Sequence, residues 1–80
     1  MTLAHLTPRE REVLALIGQG FANKEIGRAL SIHVHTVERH VANMYVKLGI
    51  RGRAEAAVLA DRSGLVDSGD TWPKVNITAS

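Results

Sequence analysis

His35-Thr36-Val37-Glu38-Arg39-His40-Val41-Ala42-Asn43-Met44-Tyr45-Val46-Lys47-Leu48 places Val37, Val41, Met44 and Leu48 at i, i+4, i+7 and i+11. That spacing brings the four side chains to one side of an α-helix, so the stretch predicts a helix over residues 35–48 with an apolar seam. Glu38, Arg39, Ala42, Asn43 and Lys47 fall away from the seam. A helix of this kind needs a partner surface on one side and leaves a polar, cation-bearing surface on the other.

Working outward, Ser31-Ile32-His33 forms a break before this helix. Asn23 reads as the cap of a shorter helix over residues 23–30, in which Ile26, Ala29 and Leu30 share a face. Gly27 inside it costs up to about 1 kcal/mol relative to alanine, so either a neighbouring helix approaches closely there, the favoured reading, or the glycine is merely tolerated. Further upstream, Thr7-Pro8-Arg9-Glu10 carries a threonine cap, a proline at the first helical position and a glutamate placed to close a capping box. A helix over residues 8–18 follows, with Val13, Leu14, Leu16 and Ile17 as its buried stripe. Downstream, Gly49 stops the long helix, Ile50 folds back onto the core, and an alanine-rich helix covers residues 53–64. The expected architecture is all-α: a four-helix domain over residues 1–65, with a loosely ordered tail over 66–80 in which Trp72 is the residue able to dock on the domain.

Composition narrows the function classes. With 80 residues there is room for one core, and with no cysteine there is neither a disulfide framework nor a thiolate metal site. His33, His35 and His40 lack the cysteines or carboxylates that would complete a tetrahedral set, so no metal and no cofactor are expected. No apolar run approaches the roughly 20 residues of a membrane span, and the chain is expected to be cytoplasmic with no membrane partner. There is no nucleophile elbow, glycine-rich phosphate loop or paired carboxylate, so an enzyme is not expected. The net charge is only +2. Its distribution is more telling: between His35 and Arg53 the cations Arg39, Lys47, Arg51 and Arg53 face Glu38 alone.

Two short helices joined by a tight turn, the second longer and polar outside, form the arrangement that lays a recognition helix into the major groove of DNA. The alternative is a helical protein-interaction or dimerisation module without DNA binding. Specific residues favour the first. Leu6-Thr7-Pro8-Arg9-Glu10-Arg11-Glu12-Val13-Leu14, Asn23-Lys24-Glu25-Ile26-Gly27, Thr36-Val37-Glu38-Arg39-His40-Val41 and Lys47-Leu48-Gly49-Ile50-Arg51-Gly52-Arg53-Ala54-Glu55-Ala56 closely resemble the LuxR/FixJ (GerE)-type helix-turn-helix family of bacterial transcription regulators. The four motifs occur in order and without gaps from about Leu6 to Leu65.

The resemblance implies sequence-specific binding of double-stranded DNA by the output domain of a larger regulator, with a receiver or ligand-binding domain before it and RNA polymerase as a further partner. It implies that Lys24 and Thr36 contact phosphates, that Glu38, Arg39 and Ala42 face bases, and that Asn43 and Lys47 lie along the groove wall. His35, Arg51 and Arg53 complete the expected DNA-binding set. In this family the fourth helix commonly pairs two subunits. Here that helix has two stripes, one of Ala54, Ala57 and Val58 and one of Ala56, Leu59, Ala60 and Ser63. The second is assigned to a homodimer that is weak in free solution and strengthened on DNA with two half-sites. Three departures from the family pattern stand out: His33 in place of a serine or threonine cap, Gly27 in place of a common alanine, and Gly52 in place of a small polar cap.

Overall fold

The computed structural model describes residues 3–64. A 3-10 turn at Leu3–His5 leads into four helices: α1 (Pro8–Gly18), α2 (Asn23–Leu30), α3 (Val34–Leu48) and α4 (Arg53–Arg62). All four expected helices are present, α3 starting one residue early and α4 stopping two short, and the described residues contain no strand. The expected tail and Trp72 lie outside the described residues.

The start of α1 is fixed by side chains close in sequence. The Thr7 hydroxyl accepts from the Glu10 backbone N–H at 3.1 Å and the Glu10 carboxylate accepts from the Thr7 N–H at 2.9 Å. Two backbone donors that an α-helix leaves without partners are thereby satisfied. α1 is the central element: Val13, Leu14, Leu16 and Ile17 are buried, and the helix touches each of the other three.

α2 begins differently from expectation. Ala22, not Asn23, occupies the cap position, and Asn23 is the first helical residue. The reason is competition for the side chains: Asn23 Oδ1 accepts from the Arg53 guanidinium at 3.0 Å, while Glu25 reaches back to accept from the Ala22 N–H at 2.7 Å. At the far end Ser31 takes a left-handed conformation, φ 58°, and the chain reverses into α3. Gly27 is the contact point of this turn. A Cβ there would stand 2.8 Å from the Ile32 carbonyl oxygen, a separation that real Cβ atoms do not tolerate. The close approach is therefore present, but the turn's own backbone makes it, with the first residue of α3 behind it, rather than the side of a neighbouring helix.

α3 buries Val37, Val41, Met44 and Leu48 against α1 and α2, as its spacing requires. Gly49 ends it in the left-handed region at φ 68°, and Ile50, whose N–H donates to the Tyr45 carbonyl at 3.1 Å, turns back onto the core.

The rotation of α4 corrects the expected pairing face. Ala56 and Ala60 are fully buried and α4 packs chiefly on α1, so these two residues belong to the domain's own core and are not available to a second subunit. Leu59 is half-buried and Ser63 exposed, while Ala54 is exposed and Val58 is 56% exposed. The first turn of α4 is held by two clamps. The Glu55 carboxylate accepts from the Arg51 N–H at 2.6 Å, and the Arg53 guanidinium donates to the Phe21 carbonyl at 2.6 Å. With that turn fixed, positions 56 and 60 face α1, and their small side chains let the two helices lie close.

Candidate nucleic-acid interface

The seam of α3 has a counterpart on its outer side. His35, Arg39, Ala42 and Val46 repeat the spacing i, i+4, i+7, i+11 two residues out of step with the core positions. At 3.6 residues per turn that is a rotation of about 200°, so they form the midline of the face opposite the core. All four are exposed. Glu38 flanks the midline on one side and Thr36 and Asn43 on the other, all exposed. The cap of this helix is His33, whose Nδ1 accepts from the His35 N–H at 3.2 Å, with the two ring centroids 5.0 Å apart. The histidine thus does the work of the hydroxyl expected there.

The remaining expected contacts are distributed around this face. Lys24 is exposed in the first turn of α2, and Arg51 is exposed in the loop before α4. Lys47 and Arg53 carry structural duties. Lys47 Nζ lies 2.8 Å from Glu10 Oε1, which joins the end of α3 to the start of α1 and draws the ammonium away from the midline. Arg53 is committed to Phe21 and Asn23 at the start of α2. Neither link has a local signal in the sequence, since the partners are 37, 32 and 30 residues apart.

Glu10 is 3% exposed and is the one buried charged residue among those described. Burial works to raise its pKa, but the Lys47 hydrogen bond, the Thr7 backbone N–H and the Lys47 charge together outweigh it, holding the carboxyl below its ordinary value. The residue that closes the α1 capping box therefore also anchors the distal end of α3. Val46 lies outside the expected DNA-binding set, although it continues the period of the outer stripe that holds His35, Arg39 and Ala42.

A short helix, a tight turn and a longer helix with an open polar face, braced by helices before and after, define a tetrahelical helix-turn-helix domain. Residues 4–60 match the family model for bacterial regulatory proteins of the luxR family, and the chain belongs to that family of DNA-binding domains. Among its relatives, the transcriptional regulatory protein LiaR of Bacillus subtilis is 48% identical over 62 residues, covering 78% of this chain and 29% of the relative. The nitrate/nitrite response regulator protein NarL of Escherichia coli is 53% identical over 53 residues, covering 66% of this chain and 24% of the relative. The response regulator protein VraR of Staphylococcus aureus is 41% identical over 61 residues, covering 76% and 29% respectively. The chain thus spans less than a third of the length of these relatives. No helix among the described residues is long and apolar enough to cross a membrane.

Proposed function

We propose that this chain binds double-stranded DNA sequence-specifically, with α3 in the major groove, as the output domain of a cytoplasmic bacterial transcription regulator. The supporting observation is that the whole outer midline of α3 is open while the residues it buries all lie on its inner seam. The groove is about 12 Å wide and accepts one helix. Arg39 is the residue to donate to a guanine edge, Glu38 is placed to accept from a cytosine amino group, and Lys24, Thr36 and Arg51 are placed for phosphates. Lys47 and Arg53 serve chiefly to brace the reading helix and its predecessor, and their charges add to the field around it.

Pairing of two subunits is reassigned to the outward face of α4. An open, largely apolar cleft of about 300 Å³ there is lined by Ile50, Ala54, Glu55, Val58, Leu59 and Arg62. A second copy seated on this face would place two α3 helices on successive half-sites. The names of the relatives support a receiver domain elsewhere in the parent protein, and RNA polymerase is a further partner of such a regulator.

Selection from a random duplex pool tests the reading, with enrichment of a defined, salt-sensitive site expected. Arg39→Ala should weaken that site by about 1–3 kcal/mol while sparing random DNA. Equal binding of the variant at matched salt would reject the Arg39 role, and no enrichment together with salt-independent retention would leave a protein-interaction module. Val58→Asp should abolish cooperative filling of paired half-sites with the helical spectrum unchanged, and cooperative filling by that variant would reject the α4 pairing face.

A further inference from the structure

The outer midline of α3 changes character along its length. Its first half carries an imidazole and a guanidinium, His35 and Arg39; its second half carries only hydrocarbon, Ala42 and then Val46. Val46 is 82% exposed, the more open of the two large hydrophobic side chains exposed among the described residues. The other, Val58, lines the cleft on α4. Val46 lies outside the lining of that cleft, and it continues the stripe that carries Arg39.

Neither Ala42 nor Val46 has a side-chain atom that can donate or accept a hydrogen bond, so neither can read the nitrogen and oxygen edges of a base pair. The major groove presents one apolar feature, the C5-methyl of thymine. Residues four apart on a helix hold their Cβ atoms about 5–6 Å apart, a span that covers neighbouring base pairs stacked at about 3.4 Å. Building on the DNA-binding reading above, we infer that Ala42 and Val46 form a methyl-reading strip, with Val46 as a specificity-determining residue that selects thymine on the side of the site away from the Arg39 contact. Contact of Val46 with deoxyribose, or its burial under another part of the parent regulator, would give no dependence on the base methyl.

The test uses the best duplex from the random pool, with each dT replaced singly by dU, which removes the methyl and keeps the pairing. At one or two positions per half-site the protein should bind the dU duplex about fourfold more weakly, the effect of one buried methyl-sized group. At the thymine farther from the Arg39 contact, Val46→Ser should bind the dT and dU duplexes alike, while keeping any methyl dependence at the position facing Ala42, its guanine preference at the Arg39 position and its melting temperature. Equal binding of dT and dU duplexes by the unmodified protein would overturn the methyl-reading strip while leaving sequence-specific binding intact. A Val46→Ser protein that kept the full dT over dU ratio would overturn the assignment to Val46. Failure to enrich any sequence would overturn the DNA-binding reading and the strip with it.

Discussion

α3 and α4 are neighbours in sequence, yet they bury different things. α3 inserts four large side chains, Val37, Val41, Met44 and Leu48, into the core, whereas α4 inserts two alanines, Ala56 and Ala60. The first helix is held by apolar volume. The second is held by proximity, with the hydrogen bonds of Glu55 and Arg53 deciding which of its two small-residue stripes turns inward. A helix anchored by bulk has one stable rotation, while one anchored by alanines takes its rotation from polar clamps at its end.

The largest effect should come from emptying the α3 seam. Met44→Ala is expected to cost about 2–5 kcal/mol, read as a lowered denaturation midpoint with unchanged slope, and a loss under 1 kcal/mol would show that the seam is not the anchor. The α4 side of the comparison is sharpened by adding volume. Ala56→Leu should overpack the α1 contact and cost about 1–3 kcal/mol, whereas Ala54→Leu, one face round, should stay within about 0.5 kcal/mol. Equal urea midpoints for these two variants would break the distinction between inner and outer stripes. Thr7→Ala removes one partner of the α1 capping box and should cost about 1 kcal/mol, visible as a small downward shift in melting temperature.

The most gradual effect concerns pH. The pKa of Glu10 is lower in the folded chain than its ordinary value, so its stabilising contribution is present above the unfolded-state pKa and is lost as pH falls through the folded-state value. Because Lys47 keeps 35% of its side chain exposed, solvent screens the pair and the contribution is modest. Glu10→Gln should therefore flatten the acid limb of a stability profile and meet the parent curve at its acid end. An acid limb of undiminished slope in the variant would show that other carboxylates carry it.

The four helices and the α3 face were legible in the sequence because their signals are local. Thr7 and Glu10 are three residues apart, and the seam is a simple period of large aliphatic side chains. The rotation of α4 was not legible, since Ala54-Ala57-Val58 and Ala56-Leu59-Ala60 offer similar apolar stripes and the clamps that choose between them reach across the fold or act on the backbone. Asn23 has the chemistry of a cap, but Arg53, thirty residues later, takes its oxygen. Lys47 has the position of a groove-wall cation, but a carboxylate made accessible only by the fold takes part of its charge. Local periodicity thus located α3 and its open face, while the partners of the cations around it depended on tertiary structure.

Gly27 has a mechanical consequence. The Ile32 carbonyl oxygen stands only 2.8 Å from where a β-carbon would sit, so the close packing of the turn between α2 and α3 depends on the absence of a single methyl. Beyond that turn α3 extends for 15 residues, about 22 Å at 1.5 Å per residue. A separation forced at Gly27, if it tilted α3, would grow with distance along the helix and be greatest toward its far end, where Val46 lies. Gly27→Ala would therefore press on backbone that has no flexible side chain to yield, costing stability and shifting the angle of α3 together, so a residue remote from the open face helps set how that face is presented.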